Sequence, residues 1–296
     1  MQPTDNRAEI REFLATRRAK LTPQQVGLLP GGGRRRVPGL RREEVAVLAG
    51  VSTEWYVRLE KGHINGVSDD VLDAVARALQ LDEAERLHLF NLARAAKPRR
   101  PQRRAQPRVR PSIERLLNSM TSCPAFVKNG RIDVLASNPL FRALYSPIYD
   151  DPARPPNLAR FTFLDPRARD FYPDWNDVAN GTVSLLRTEA GRDPHDRDLT
   201  DLVGELATRS DEFRTRWAGH DVRLHQKGTK NFNHPVVGPI TVAFDVLELP
   251  ADPGLQLTTY SAEPDTPSED ALKLLASWAA TTHEEQALRE AEQAET

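Results

Sequence analysis

The chain has 296 residues, a length that suits two domains better than one small one. Its hydrophobic content of 39% and charged content of 28% are those of an ordinary globular protein. No apolar run approaches the roughly 20 residues of a membrane span, and the first residues lack the apolar segment of a signal peptide. Because the single cysteine, Cys123, excludes an internal disulfide framework, we expect a cytoplasmic protein.

The net charge of −1 hides a division of charge along the chain. Residues 1–111 carry 22 Lys and Arg against 13 Asp and Glu, whereas the remainder carries 19 against 29. A basic half and an acidic half indicate two parts with different partners, and the basic half suits a polyanion. A bias toward arginine in the source of the sequence would also produce part of this excess.

The first 96 residues predict a compact all-helical domain. Over residues 5–19, Ile10, Phe13 and Leu14 recur on one helical face, and a loop rich in glycine, proline and arginine follows as far as residue 40. Four further helices are predicted over 41–49, 53–61, 69–79 and 82–96. Side chains that can accept a hydrogen bond from the first turn are their predicted N-caps, namely Ser52, Ser68 and Asp82, the last paired with Glu85.

Residues 97–111, KPRRPQRRAQPRVRP, predict a basic linker because four prolines and seven basic residues without an acid cannot build a core. A second domain that mixes helices and strands is predicted over 112–282, with an acidic tail over 283–296. Its helices are predicted at 112–120, 138–145, 174–189, 197–209, 211–218 and 268–280, the last capped by Ser268. Its strands are predicted at 126–127 and 132–136, around an Asn129-Gly130 turn, and at 221–226, 240–249 and 255–261.

Residues 40–62, LRREEVAVLAGVSTEWYVRLEKG, carry the strongest motif of the sequence. A helix-turn-helix needs a small residue where two helices approach, a turn glycine and an apolar residue that anchors the turn, and Ala46, Gly50 and Val51 occupy those places. Apolar residues for the buried faces are Val45, Leu48, Tyr56 and Leu59. The third helix is then free to enter a DNA major groove, which is wide enough to admit it. An unrelated helical hairpin is the alternative interpretation.

The predicted DNA-binding residues are Arg34, Arg35, Arg36, Arg41, Arg42, Ser52, Thr53, Glu54, Val57, Arg58 and Lys61. The outward residues of the third helix suit base edges, and Arg42 and Lys61 suit phosphate oxygens. The three consecutive arginines beside the glycines suit a minor groove or the phosphates, and a solvated loop explains them equally well. Arg58 can pair with guanine or be merely solvated, and Trp55 suits either core packing or contact with the DNA backbone.

Longer stretches extend this interpretation to nearly the whole chain. VGLLPGGGRRRVPGLRREEVAVLAGVSTEWYVRLEKG, followed by VLDAVARALQLDEAERLHLFNLA, resembles the XRE-type helix-turn-helix regulators common in actinobacteria. The second half, with PAFVKNGRIDVLASNPLFRALY, NLARFTFLDPRARDFYPDW, LVGELATRSDEFRTRWAGHDV, KNFNHPVVGPITVAFDVLEL and LTTYSAEP, resembles the MmyB-like ligand-binding domain of that family. The sequence departs from the family at HINGVSDDVL, where many relatives carry a basic, proline-containing turn, so loop contacts to DNA do not transfer.

The resemblance implies an all-α helix-turn-helix N-terminal domain plus an α/β (α+β) PAS-like C-terminal domain, with a pocket for fatty-acid-like molecules. The predicted boundaries are 1–96 for the DNA-binding domain, 97–111 for the linker, 112–282 for the ligand-binding domain and 283–296 for the tail.

Residues 112–280 show no convincing catalytic set. Cys123 precedes a proline and has no base at a recognisable spacing, which favours an inert thiol over a nucleophile. His220, His225 and His234 are near one another in sequence, but their intervals do not form a familiar metal signature. We therefore expect neither an enzyme nor a metal or other cofactor.

Large apolar residues of the second half supply both its core and any pocket, and the sequence does not separate the two. The predicted ligand-binding residues are Phe126, Leu135, Phe141, Tyr145, Phe163, Trp175, Arg187, Trp217, Lys230, His234 and Phe244. Of these, Arg187, Lys230 and His234 are candidates to bind an acidic head group, because a carboxylate inside an apolar cavity needs a partner.

Together these features predict a sequence-specific DNA-binding transcriptional regulator that responds to a small hydrophobic ligand. We expect a homodimer on double-stranded DNA, because one short helix reads only a few base pairs and a second half-site adds specificity. The alternative is a regulator whose second domain is a constitutive dimerisation or partner-binding module without a ligand. A third reading, an enzyme fused to a regulator, lacks a catalytic constellation in the sequence.

Overall fold

The structure, a computed structural model, describes residues 6–28, 39–96, 108–149, 155–194, 196–219 and 227–294. The chain divides into two compact units: unit 1 consists of Met1–Gln102 and Val183–Leu224, and unit 2 of Arg103–Thr182 and His225–Thr296. The described residues of 183–224, which the sequence interpretation assigned to the second domain, thus cluster with the N-terminal region in unit 1. The predicted linker lies mostly outside the described residues, as does the strand predicted at 221–226.

The helices follow the predicted order closely. Those of the N-terminal region are α1 (Asn6–Lys20), α2 (Arg42–Ala49), α3 (Thr53–Glu60), α4 (Asp69–Ala78) and α5 (Glu83–Ala95). Those further along are α6 (Pro111–Ser119), α7 (Pro139–Leu144), α8 (Leu158–Leu164), α9 (Ala168–Phe171), α10 (Trp175–Arg192), α11 (Arg197–Arg209), α12 (Asp211–Ala218) and α13 (Pro267–Ala294). Helix α10 begins within the residues of unit 2 and ends within those of unit 1.

Apolar residues from all five N-terminal helices form one core in unit 1. Its fully buried members include Phe13 on α1, Val45 on α2, Tyr56 on α3, Val75 on α4 and Leu89 on α5. The residues predicted to face inward in the helix-turn-helix are buried or half-buried in this core. The 3.6-residue periodicity of the sequence therefore identified the correct helix faces.

The predicted N-caps were right at two of three places in this region. The Ser52 hydroxyl accepts a hydrogen bond from the backbone N–H of Trp55 at 3.1 Å, and Asp82 and Glu85 form a reciprocal capping box. Ser68 occupies the N-cap position of α4, but its side chain makes no capping hydrogen bond, so that part of the prediction was wrong. Two aspartates in the first turn of α4 still favour that helix end electrostatically.

One buried carboxylate joins three helices of unit 1. Glu60, at the end of α3, accepts two hydrogen bonds from Arg18 of α1, at 2.9 and 3.0 Å, and another from Arg42 of α2 at 2.9 Å. The Glu60 side chain is only 2% exposed. Burial by itself would raise the pKa of Glu60, but the hydrogen bonds and charge of Arg18, with those of Arg42, hold that pKa below its ordinary value.

The strands that the structure describes form one five-stranded antiparallel sheet in unit 2. They are β1 (Ala125–Asn129), β2 (Val134–Ser137), β3 (Lys227–His234), β4 (Gly238–Glu248) and β5 (Leu255–Ser261), in the order β2-β1-β5-β4-β3. One face of the sheet packs on α6 through Val127, Leu255 and Leu257, with Leu117 from the helix. The opposite face carries Phe126, whose ring stacks on that of Phe141 of α7 at a centroid distance of 4.2 Å. The architecture is therefore the α+β class that the sequence predicts.

Four elements of unit 2 differ from prediction. Helices α8 and α9 were not predicted. Strand β3 was not predicted, because KGTKNFNH is poor in β-branched residues, and it forms through eight residue pairs with β4. Helix α13 continues to Ala294 rather than ending at residue 280, since its last turns consist mainly of good helix formers. Ser268 does not cap α13 but accepts from the backbone N–H of Thr241, while the Thr266 hydroxyl accepts from Glu269.

We expect Glu60→Gln to destabilise the protein by about 2 kcal/mol at pH 7, because it removes the charge that two arginines bind. Since the folded-state pKa of Glu60 is depressed, its stabilising effect is present above the ordinary glutamate value of 4.5 and is lost as pH falls below it. Urea-unfolding midpoints from pH 7 to pH 3 test both points. The control is Glu43→Gln, which removes an exposed partner of Arg41. Equal pH profiles for wild type and Glu60→Gln would contradict the prediction.

Candidate functional site

The turn between α2 and α3 has the geometry that a helix-turn-helix requires. Gly50 adopts a left-handed conformation with φ of 68°, which glycine tolerates without strain. The backbone N–H groups of Gly50 and Val51 both return to carbonyls of the last turn of α2. Ala46 is buried where the helices approach and Val51 is half-buried against the core, as the motif predicts.

The predicted reading face of α3 is available to solvent. Thr53, Glu54 and Arg58 are exposed, and Val57 is half-buried beside them. Arg58 forms no ion pair within the part of the chain that the structure describes, so its guanidinium can bind another partner. Trp55 is half-buried and packs against the core, which supports its packing interpretation.

Four other predicted DNA-binding residues lie at the ends of this motif. Ser52 is exposed, and its hydroxyl is occupied as the cap of α3. Lys61 is exposed directly after α3. Arg41 is exposed and pairs with Glu43 at 3.2 Å, whereas Arg42 is half-exposed and pairs with Glu60. The guanidinium of Arg42 is thus already ion-paired within the fold, and a phosphate that contacts it would share it with Glu60.

The three consecutive arginines Arg34, Arg35 and Arg36 lie outside the described residues. Their predicted contact with a minor groove or with phosphates remains a prediction. The described part of the motif presents an exposed polar helix face next to exposed cations, and this arrangement can hydrogen-bond base edges and attract phosphates.

A cluster of aromatic rings occupies the face of the unit 2 sheet that packs on α7. We call it the aromatic cluster; its members are Phe126, Phe141, Tyr145, Phe171, Tyr172, Phe232 and Tyr260. Tyr145 lies at its centre, with the ring centroids of five other members no more than 6.5 Å from its own. Three of the predicted ligand-binding residues, Phe126, Phe141 and Tyr145, are therefore brought together, and all three are buried.

Polar groups are concentrated at one place in this aromatic cluster. The hydroxyl of Tyr172 donates to that of Tyr145 at 3.4 Å, and the hydroxyls of Tyr145 and Tyr260 lie 3.2 Å apart. Burial raises the pKa of all three tyrosines, so they remain neutral hydrogen-bonding groups. On the same strand as Tyr260, the buried Thr258 hydroxyl has no hydrogen-bond partner among the described residues.

The ammonium group of Lys230 approaches the same tyrosines. It lies 4.9 Å from the ring centroid of Tyr172 and 5.7 Å from those of Tyr145 and Phe232. Burial, together with the positive charge of Lys128, lowers the pKa of Lys230 to about 7. No carboxylate among the described residues pairs with Lys230, and its predicted role toward an acidic group thus has a chemical basis.

His234 has a structural role, which was one of the interpretations open from the sequence. Its Nε2 lies 3.1 Å from the carbonyl oxygen of Ala143, and its Nδ1 accepts from the backbone N–H groups of Val236 and Val237. Burial lowers the pKa of His234, although the contact with the Ala143 carbonyl opposes this shift. With both ring nitrogens engaged, nothing in the geometry supports its predicted contact with a ligand.

The remaining predicted ligand-binding residues are dispersed. Phe244 is buried on the same sheet face as the aromatic cluster. Leu135 instead packs with the apolar residues on the opposite face, which α6 covers. Trp175 is buried, donates to the Thr162 carbonyl at 3.0 Å and packs edge-on against Phe163. Arg187 and Trp217 belong to unit 1, where Arg187 donates to the backbone carbonyl of Trp217 and lies over its ring.

Sequence reasoning missed four members of the aromatic cluster, namely Phe171, Tyr172, Phe232 and Tyr260. Phe232 follows Lys230 at a spacing of two and so shares its sheet face, a signal that recognition of β3 would have revealed. Tyr260 stood inside a predicted strand, but its inward direction depends on strand register. Tyr172 comes from the short helix α9 and its end, for which the sequence offers no periodic signal.

Within the ranges that the structure describes, no three His, Cys, Asp or Glu side chains are grouped so as to hold a metal ion. Of the histidines considered from the sequence, His220 and His225 lie outside these ranges. Among the helices of the described chain, none combines the length and apolarity needed to span a membrane.

Comparison with known families agrees with this geometry. Residues 9–89 match the family described as a helix-turn-helix domain, and residues 109–275 match the one described as the MmyB-like transcription regulator ligand binding domain. No curated protein matches the chain. Because the second match alone spans more than half of the chain, and a helix-turn-helix precedes it, the chain belongs to the MmyB-like transcription regulator family and is a DNA-binding transcription regulator with a ligand-binding domain.

Proposed function

We propose that this regulator binds its operator through α3 as an XRE-type homodimer in the cytoplasm, and that a fatty-acid-like ligand in unit 2 controls the binding. The observation that carries the ligand half of this proposal is Lys230. A cation among aromatic rings, without a carboxylate partner in the described chain, is complementary to an acid with an apolar tail.

The ligand would place its carboxylate at Lys230 and the hydroxyls of Tyr145 and Tyr172. Its acyl chain would replace contacts between apolar rings, where burial of each CH₂ group contributes about 0.8 kcal/mol. The antiparallel sheet of unit 2, with helices over the face that carries the aromatic cluster, supports the PAS-like interpretation of this domain.

A homodimer follows from the small size of the reading surface. Helix α3 has eight residues and exposes three to four of them, which is enough for one half-site of a few base pairs. Two copies on a two-fold operator would double the contacts and raise specificity accordingly.

We expect Arg58→Ala to weaken binding to the preferred DNA site by about 1–3 kcal/mol and to relax the base preference at one position. The reason is that Arg58 is exposed on α3 and has no ion-pair partner among the described residues. Binding is measured with a site selected by the wild-type protein from random DNA, at fixed salt concentration. Arg115→Ala, at an exposed arginine on α6, serves as the control. An equal loss on random DNA would assign Arg58 to the phosphate backbone instead.

For Arg42→Ala we expect weaker binding on all sequences and a smaller dependence of affinity on salt. The exposed half of this side chain supplies the phosphate contact, and its pairing with Glu60 positions it. The slope of log affinity against log salt is measured for wild type and Arg42→Ala. Arg42→Lys retains the charge and serves as the matched control. A slope identical to that of wild type would remove Arg42 from the phosphate contacts.

The affinity for dodecanoate is expected to fall as pH rises above 7, by up to about tenfold per pH unit. The pKa of Lys230 in the free protein is about 7, so the cation that attracts the carboxylate is present below this pH and lost above it. Calorimetric titration from pH 6 to pH 9 measures the effect. Lys230→Met should abolish this pH dependence, whereas Lys273→Met, at an exposed lysine of α13, should preserve it.

Absence of dodecanoate binding at every pH would contradict the fatty-acid-like ligand and favour a constitutive dimerisation or partner-binding module. Binding with the same pH profile in Lys230→Met would leave a ligand but remove Lys230 from its head-group site.

A further inference from the structure

One helix that belongs by sequence to the ligand-binding family, α10, contacts helices of the DNA-binding region. The family match covers residues 109–275, yet residues 183–224 form part of unit 1 together with the helix-turn-helix. We call residues 183–219, which comprise the end of α10 with α11 and α12, the docking segment. Its contacts within unit 1 are specific rather than merely apolar.

An ion pair lies at the centre of these contacts. The guanidinium of Arg187, on α10, donates to the carboxylate of Glu9 on α1, and both side chains are buried. The same guanidinium donates to the carbonyl of Trp217 and lies 4.1 Å from the centroid of the Trp217 ring. Arg187 therefore holds α12 on one side and α1 on the other.

One helical turn after Arg187, the backbone of α10 at Gly191 lies very close to the side chain of His88. A Cβ added to Gly191 would come within 2.6 Å of Cε1 of His88, on α5. His88 is fully buried, and its Nε2 lies 3.8 Å from the same Glu9 carboxylate. Only glycine allows α10 to lie this close to α5.

A buried ion pair contributes little net stability but discriminates strongly against misplacement, because any shift that separates the partners leaves a charge unpaired. Release of the docking segment would return both charges to water and recover their hydration. A docked and a released arrangement would then be two discrete states, as a regulatory element requires.

The same helix also takes part in the ligand-binding unit. At its other end Trp175 is buried and bonds the Thr162 carbonyl. Helix α10 spans 18 residues, so Trp175, Arg187 and Gly191 belong to one continuous hydrogen-bonded helix.

We propose that the Glu9–Arg187 pair, with Gly191 packed on His88, is a regulatory contact: its formation or release couples the ligand-binding domain to the helices that bind DNA. This inference rests on the proposed function for the nature of the signal, dodecanoate being the probe. The docking itself is argued from the contacts of unit 1 alone.

The test uses the full chain and hydrogen exchange followed by mass spectrometry. Gly191→Ala should clash with His88 and speed amide exchange in residues 6–20 and 183–192 by at least tenfold. Gly204→Ala is the matched control, because Gly204 is a helical glycine of α11 with open space around its added Cβ. Glu9→Gln, which preserves shape and removes one charge, provides a milder second variant should Gly191→Ala fail to fold.

The same variants are then tested for coupling. In wild type, dodecanoate should change the affinity for the selected DNA site by about 5–150-fold, the usual range for coupled sites. Gly191→Ala and Glu9→Gln should still bind dodecanoate, with dissociation constants within about twofold of wild type. In both variants, however, the ratio of DNA affinities with and without dodecanoate should approach one. A full dodecanoate effect in both variants, or unchanged exchange in both, would overturn the proposal.

Failure of the proposed ligand class can be distinguished from failure of the coupling. If dodecanoate leaves the DNA affinity of wild type unchanged, the proposed ligand class fails. The coupling is then judged by whether the selected DNA site itself alters exchange in residues 183–192 of wild type. A change there would support coupling between the docking segment and DNA, and no change would overturn it.

Discussion

The buried carboxylate of Glu60 is the constraint on which the DNA-binding half of this molecule depends. One side chain at the end of α3 is bound by Arg18 from α1 and Arg42 from α2, so three helices share a single charged junction. A carboxylate removed from water requires such partners, since an unpaired buried charge is costly. Helix α3 cannot rotate or slide without breaking these hydrogen bonds, and its exposed residues therefore point in a fixed direction.

Three cations of this protein show how burial separates structural from binding roles. Arg18 and Arg187 are each matched by a carboxylate, Glu60 and Glu9, and each match ties segments that are distant in sequence. Lys230 instead approaches the faces of aromatic rings, which attract a cation more weakly than a carboxylate does. The low pKa of Lys230 reflects this incomplete compensation, and an anionic ligand would supply the missing partner.

Local signals in the sequence located most elements of the fold. The periodicity around Val45, Tyr56 and Val75 identified the buried faces of the N-terminal helices, and the Asp82-Glu85 pair marked a helix start that the structure contains. Strand propensity did not predict β3, because its Gly, Lys and Asn residues form a strand only through pairing with β4. The predicted cap at Ser268 was wrong, because the Ser268 hydroxyl accepts a hydrogen bond from the backbone N–H of Thr241 on β4 instead.

The motif over residues 40–62 was sufficient for the helix-turn-helix, since its requirements are met within about twenty consecutive residues by small side chains, a turn glycine and helical spacing. The sites that depend on distant residues were not accessible in the same way. The hydrogen bond between Tyr145 and Tyr260 joins residues 115 apart in sequence, and that between Arg187 and Glu9 joins residues 178 apart. Arg187 and Lys230 are both basic residues of the second half, and the sequence offers both as partners for an acidic head group. The folded chain separates them, because only packing determines which charge is buried beside a carboxylate and which is not.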